Sequence, residues 1–213
     1  LLILYIGAVM VSFNQMKVPT LMGRLSEYFS VPVSTVSLLM TGFTVAGIVL
    51  ALPSAIIVNK IGLKKTGPLL MCFLAAGSFI GAFAPNFPVM LIGRTLEGIA
   101  YAFMILYGAM LITQWFPERQ IGIAMGIFTT FPAVGPLVMF NVTPRIAAAY
   151  SWQTVWIALG VMTLVALVLY ALFIDDPVVP AEKDEFPGDK VSMFAGFTNG
   201  RAWLLAITQG AVA

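Results

Sequence analysis

Several runs of about 20 apolar residues follow one another along this sequence, and they constrain its fold more than any other feature. Of its 213 residues 60% are hydrophobic and 9% are charged, whereas an ordinary soluble domain is about a quarter charged. A helix of about 20 residues, rising about 1.5 Å per residue, crosses a bilayer core of about 30 Å. The runs lack the alternating polarity of membrane barrel strands. The sequence therefore predicts an all-α membrane protein.

Six of these runs are expected to form one bundle, and a seventh begins near the end of the chain. The predicted spans are residues 1–22, 34–58, 68–83, 89–114, 120–149 and 152–174. We therefore divide the chain into a six-helix transmembrane bundle at 1–174, a polar cytoplasmic linker at 175–200 and the start of a seventh helix at 201–213. Because the sequence stops inside that last apolar run, we expect it to be a piece of a longer protein.

Local signals predict where three of the spans begin. Ser34 can cap the second helix, Pro68 can open the third, and Pro88 after Asn86 can open the fourth. The predicted connections are short, and helices joined by short connections pack as antiparallel neighbours.

Basic residues in the short connections predict the orientation. They are Lys60, Lys64, Lys65 and Arg119 at one end of the bundle, and Arg24 and Arg145 at the other. Because Lys and Arg are retained on the cytoplasmic side, we expect a cytoplasmic N-terminus in a cell membrane, either inner or plasma. Trp115 and Phe116 at one face, and Trp152 and Trp156 at the other, are expected to form the aromatic belts at the two interfaces.

Composition and motifs also exclude several classes of function. The formal net charge of +2 is too small to indicate a nucleic-acid partner, and the sequence has no histidine. The single cysteine, Cys72, permits no intrachain disulfide and is interpreted as a packing residue. The sequence contains no His-Glu-x-x-His or Gly-x-Ser-x-Gly motif. We therefore predict neither an enzyme nor a metal or cofactor site.

Three motifs carry a resemblance to one family of transporters. The connection between the second and third spans reads Ala55-Ile-Ile-Val-Asn59-Lys60-Ile-Gly62-Leu-Lys64-Lys65 and resembles the major facilitator superfamily pattern Gly-x-x-x-Asp-Arg-x-Gly-x-Arg-Arg. In the fourth span, Arg94-Thr-Leu-Glu97-Gly98 resembles the family's Arg-x-x-Gln-Gly pattern. In the fifth span, Gly135-Pro136 resembles the Gly-Pro motif of its drug antiporters. The sequence is thus similar to the N-terminal half of a major facilitator transporter.

This resemblance implies an architecture and a set of roles. It implies that the six helices form two inverted three-helix repeats, with the first and fourth helices lining a central cavity. It assigns a gating role to the loop residues Asn59, Lys60, Gly62, Lys64 and Lys65. Asn59 stands where the family has an Asp that helps to lock the outward-open state, and Asn cannot form that ion pair. Gly62 suits a tight turn, and the lysines lie near helix ends and lipid headgroups.

Charged residues inside the spans are the first functional candidates, because burying charge in a membrane is expensive. Lys17 and Arg94 lie at a common depth, about 10 Å inside the outer ends of the first and fourth helices. Asn14 and Lys17 share one helix face, as do Arg94, Glu97 and Tyr101. The resemblance would turn both faces toward the substrate path.

From these residues we predict a site for an anionic substrate. Lys17 and Arg94, with Asn14 and Tyr101, are the candidate substrate-binding residues, and Glu97 is the candidate proton carrier. The alternatives are that Arg94 and Glu97 neutralise each other as a structural pair, and that Lys17 snorkels to the outer interface. The first span, with Asn14, Lys17, Pro19 and Leu21, is also loosely similar to a pattern in cyanate-permease-type members, which favours a small anion.

These observations predict a secondary transporter that is proton-coupled or works by exchange. Its expected partners are the lipid bilayer, a small anionic substrate and the C-terminal half of the same transporter. One alternative is a cation or drug exporter of the same superfamily, and another is a non-transporting receptor or assembly protein with this fold. The charged residues distinguish a transporter from a non-transporting protein. A transporter should keep these residues facing water, whereas a non-transporting protein should bury them as satisfied pairs.

Overall fold

The computed structural model describes residues 1–174, except for the side chains at positions 51, 52 and 55. The predicted linker at 175–200 and the predicted seventh helix at 201–213 lie outside the described residues. Residues 1–174 contain no strand, and six helical stretches are long and apolar enough to cross a membrane. The prediction of an all-α bundle with six membrane-spanning stretches is therefore confirmed for this part of the chain.

Nine α-helices and one short 3₁₀ turn build these six spans in the described part of the chain. The helices are α1 (Leu2–Met16), α2 (Met22–Phe29), α3 (Val33–Val36), α4 (Leu38–Ile61), α5 (Leu63–Ala82), α6 (Phe87–Trp115), α7 (Glu118–Phe128), α8 (Phe131–Ala149) and α9 (Trp152–Phe173). The first span contains α1, the 3₁₀ turn at Pro19–Leu21 and α2, the second contains α3 and α4, and the fifth contains α7 and α8. The third, fourth and sixth spans are α5, α6 and α9.

The predicted start of the fourth span is confirmed in detail. Asn86 caps α6, and its side-chain oxygen accepts a hydrogen bond from the backbone N–H of Val89 at 3.1 Å. Pro88 lies in the first turn of the helix, where its missing N–H leaves no hydrogen bond unmade.

The predicted starts of the second and third spans are wrong. The helix of the third span begins at Leu63, and Pro68 lies inside it. The chain turns at a single residue, Gly62, whose φ of 87° is a conformation that glycine adopts without strain, and the helix resumes at once. In the second span, Ser34 lies inside the short helix α3, whose N-cap is Pro32.

Three spans are divided into separate helices, and in the first and the fifth a proline follows the break. The first span breaks at Lys17 ahead of Pro19, and its second helix continues to Phe29, beyond the predicted end at 22. The fifth span breaks at Thr129 and Thr130 ahead of Pro132. Proline cannot donate the backbone hydrogen bond that would carry a helix through these positions, which favours a break there.

The packing of the helices agrees with two inverted three-helix repeats. Helix α6 packs against α1, α4 and α5, while α1 packs against α6, α8 and α9. Exchanging the first three spans with the last three converts one set of neighbours into the other. Because each repeat has three spans, the second repeat runs in the opposite direction to the first, as in transporters built from inverted repeats.

Two glycines allow close backbone approaches between the spans. A Cβ atom on Gly98 of α6 would collide with the backbone of Phe43 on α4, and one on Gly135 of α8 would collide with the backbone of Ser12 on α1. The two contacts correspond under the exchange of repeats. Small residues at such crossings let membrane helices pack backbone to backbone.

The interior contains two apolar cores that follow each other along the bundle. One includes Val11 and Ala100, and the other includes Val18 and Met90. On α1 and α6 the buried charged residues fall between these two sets, so the bundle carries its charge where the two cores meet.

We predict that Gly98→Ala destabilises the bundle by about 2 kcal/mol, because the added methyl group must push α4 away from α6. Gly122→Ala is the matched control, since nothing lies within 4 Å of its Cβ position. The control should be neutral or stabilising by up to about 1 kcal/mol, through better helix propensity. Thermal unfolding of the purified full-length protein in detergent measures both effects. Equal unfolding temperatures for the two variants would contradict the close contact.

Candidate functional site

The break in the first span positions two of the predicted site residues. Asn14 lies in the last turn of α1 and Lys17 caps its end, and the carbonyls there have no further helical N–H groups to pair with. The guanidinium of Arg94 donates to the backbone oxygen of Asn14 at 2.8 Å, and the hydroxyl of Thr20 lies 2.9 Å from the backbone oxygen of Lys17. Cations are also favoured at a helix C-terminus by the helix dipole.

Lys17, Arg94 and Glu97 meet in one ion-pair network. The ammonium of Lys17 donates to Oε1 of Glu97, and Nη1 of Arg94 donates to Oε2 of the same carboxylate at 2.5 Å. The exposed fraction of each of the three side chains is 1% or less. Each oxygen of the one carboxylate therefore binds a different cation in a place without solvent.

Ser78 completes the network, and sequence reasoning missed it. Its hydroxyl lies 3.0 Å from Nζ of Lys17, 2.9 Å from Oε1 of Glu97 and 2.7 Å from Oδ1 of Asn14. A hydroxyl has one proton, so Ser78 accepts from Lys17 and donates to one of the two oxygens at a time. The neighbouring Gly77 lets α5 come close to α6, since its Cβ position lies 2.5 Å from the backbone oxygen of Gly93.

Asn14, Lys17, Ser78, Arg94 and Glu97 are called the charge cluster from here on. Asn14 is held from two sides, because its amide donates to the backbone oxygen of Met10 at 2.8 Å and its Oδ1 accepts from Lys17 at 2.7 Å. The cluster thus joins α1, α5 and α6. Residues 1–174 contain no group of three His, Cys, Asp or Glu side chains that could hold a metal ion.

Aromatic rings cover both cations of the cluster. Nζ of Lys17 lies 4.8 Å from the ring centroid of Trp156 on α9, and Cζ of Arg94 lies 4.5 Å from that of Phe43 on α4. Contacts at this distance are attractive, and they also exclude water from the charges. The prediction that Trp156 belongs to an interfacial belt is wrong, because its side chain is fully buried, and Trp152 is buried as well.

The structure brings together four of the five predicted residues of the anion site. Lys17 and Asn14 meet Arg94 and Glu97 across the bundle, as their common depth predicted. Tyr101 lies outside the cluster, with its ring centroid 5.3 Å from that of Phe43.

The predicted surroundings of these residues are different from those observed. Lys17 does not snorkel to the interface, and neither polar face opens to water in this structure, because the side chains bury one another inside the six helices. The predicted pairing of Arg94 with Glu97 is observed, with Lys17 added to it.

The predicted gating loop is a tight hairpin rather than a loop. Asn59 and Lys60 are exposed in the last turn of α4, and Lys64 and Lys65 are exposed in the first turn of α5. Gly62 alone connects the two helices. The conformation of Gly62 requires glycine, although space for a side chain is present there.

We predict that Glu97→Gln is the most destabilising single substitution in the charge cluster, at about 3–5 kcal/mol, because it leaves two buried cations without a counter-charge. Lys17→Met should be much milder, since Arg94 and Glu97 remain as a neutral pair. Thermal unfolding of the purified full-length variants checks the order. A Lys17→Met protein as unstable as Glu97→Gln would contradict this account of the charges.

Comparison with known proteins shows the family to which the chain belongs. A family model described as Major Facilitator Superfamily matches residues 4–212. The uncharacterized MFS-type transporter YcnB of Bacillus subtilis is 26% identical over 174 residues, which cover 80% of this chain and 36% of that protein. The probable sulfoacetate transporter SauU of Cupriavidus necator is 28% identical over 118 residues, or 55% of this chain and 27% of that protein.

The lincomycin resistance protein LmrB of Listeria monocytogenes is 26% identical over 160 residues, which cover 73% of this chain and 33% of that protein. The chain thus spans about a third of the length of the curated relatives it matches. The family match covers nearly the whole chain and agrees with its six apolar spans. This chain is a multi-pass membrane protein that belongs to the Major Facilitator Superfamily.

Proposed function

We propose that this chain is the N-terminal six-helix half of a secondary transporter that moves a small organic or inorganic anion across the cell membrane. The C-terminal half of the same transporter would supply a second bundle. The two bundles rock against each other around a site near the bilayer midplane, as in other transporters with inverted repeats. Membership in the superfamily and the inverted packing of the six spans support this proposal.

The observation that carries the anion assignment is the charge balance of the charge cluster. Two cations, Lys17 and Arg94, share the single carboxylate of Glu97 in a place without solvent. One positive charge is left over when all three groups are ionised. Because buried charges are stable only when they are paired, an excess cation favours an anion as an additional partner. The name of SauU, which gives sulfoacetate as its cargo, agrees with this.

The same charge balance links the anion to a proton. A proton on Glu97 removes the negative charge of the cluster and leaves both cations without an ionised partner. A monovalent anion that binds at the same time restores the original net charge. Proton and anion binding therefore favour each other, as symport requires. If an anion instead replaced Glu97 as the partner of the two cations and Glu97 bound no proton, the same site would support exchange.

Binding requires the cluster to open, and the break in the first span provides a place where it can. Lys17 lies at the break, where no helical hydrogen bonds continue into Pro19. Movement of α1 at this point separates Lys17 and Asn14 from Arg94 and Glu97. Tyr101, half-buried further along α6, is proposed to join the binding site once the cluster is open.

The hairpin between α4 and α5 is the proposed gate element. A one-residue connection at Gly62 gives the two helices little freedom at this end, so they would move together. Asn59, Lys60, Lys64 and Lys65 surround this connection. The three lysines and Arg119 form the more basic end of the bundle, which supports a cytoplasmic N-terminus.

Two alternatives keep specific support. The likeness to LmrB, whose name describes lincomycin resistance, supports a drug exporter of the same superfamily. The complete burial of the charge cluster is what a non-transporting receptor or assembly protein with this fold would show. In both alternatives the cluster has a structural role only.

We predict that Arg94→Gln and Lys17→Gln each reduce anion uptake by about tenfold or more in liposomes that contain the full-length protein under an imposed pH gradient. The assay compares small carboxylates and inorganic anions with cationic dyes. Arg145→Gln is the matched control, because it removes one exposed cation of α8 that is not part of the cluster and should leave uptake unchanged. Dye transport, or anion transport by both cluster variants at the control rate, would contradict the anion site.

A further inference from the structure

An apolar groove lies between α4 and α5, outside the charge cluster. Both helices pack closely on α6 but much less on each other, so a gap remains between them with α6 as its floor. The groove has a volume of about 260 Å³. Its walls are apolar apart from Thr66, whose hydroxyl donates to the backbone oxygen of Gly62 at 2.7 Å and is thereby satisfied.

Both walls of the groove end in a lysine. On α5, Lys65, Leu69 and Phe73 follow one another at four-residue spacing, so the face that lines the groove continues directly into Lys65. On α4, Ile57 lines the groove and Lys60 lies three residues further along the same face. Lys60 and Lys65 are both exposed. The groove therefore combines an apolar body with a cationic end at the α4–α5 hairpin.

We propose that this groove binds one anionic phospholipid, with an acyl chain between α4 and α5 and the phosphate group on Lys60 and Lys65. Acyl chains are favoured along apolar helix faces, and lysines at helix ends attract anionic headgroups. A lipid held in this way contacts both helices of the hairpin and stabilises their separation. The inference concerns a groove separate from the charge cluster and does not depend on the identity of the transported solute.

The test is retention of lipid by the purified full-length protein, measured by native mass spectrometry after exchange into phosphatidylglycerol or phosphatidylcholine with identical acyl chains. We expect severalfold more retained phosphatidylglycerol than phosphatidylcholine. Lys60→Gln and Lys65→Gln should each lower phosphatidylglycerol retention by about fivefold. Arg119→Gln, which removes an exposed cation from the start of α7, is the charge-matched control and should have no effect.

A second pair of variants tests the groove itself. Ile99 lies on its floor, so Ile99→Trp should fill the groove and displace the lipid, while Ile92→Trp places the same ring on an exposed position of the same helix outside it. Equal retention of the two lipids, or an Arg119→Gln effect as large as that of the lysine variants, would show only general surface attraction and overturn the proposal. Unchanged retention in a folded Ile99→Trp protein would also overturn it.

Discussion

The sharing of one buried carboxylate by two cations is the interaction on which the rest of this structure depends. Glu97 accepts from Lys17 with one oxygen and from Arg94 with the other, inside a bundle that offers them no water. Each cation would be unstable there alone. Because the three groups lie on α1 and α6, the pairing ties together the two helices that correspond to each other in the inverted repeats. Small residues elsewhere let the helices come close enough for it to form.

The break in the first span and the charge cluster stabilise each other. A continuous α1 would use the backbone oxygen of Asn14 for its own helix, whereas the broken helix leaves that oxygen for Arg94. The helix end also favours the two cations that gather around it. The break ahead of Pro19 therefore has an effect beyond local geometry, because the backbone oxygen of Asn14 accepts a hydrogen bond from an arginine 80 residues away in sequence. The same break is where the proposed opening of the site begins.

Much of this arrangement could be predicted from the sequence, because membrane burial makes charge rare and therefore informative. The common depth of Lys17 and Arg94, and the spacing of Arg94 and Glu97 on one helix face, predicted their meeting. Ser78 could not be found in this way, because a serine inside a membrane helix is too common to indicate a polar network by itself. The start of the third span was predicted wrongly from Pro68, because a proline near a helix start does not show which turn of the helix it occupies. The surroundings of the cluster also could not be predicted. The spacing of residues along one helix shows which of them share a face, but it does not show which side chains of other helices cover that face.

The most direct test of the central claim is whether the charge cluster opens during transport. In the full-length protein with the exposed Cys72 replaced by Ser, Ser78→Cys places a nearly isosteric thiol in the cluster, and Tyr150→Cys places one in the exposed connection between α8 and α9 as a control. The rate of alkylation by N-ethylmaleimide is then measured in proteoliposomes with and without a transported anion and a pH gradient. The account predicts that the thiol at position 78 is protected at rest and reacts severalfold faster during transport, while the control reacts at one rate throughout. A thiol at position 78 that stays protected while transport proceeds would show that the cluster is a permanent structural element and not the binding site.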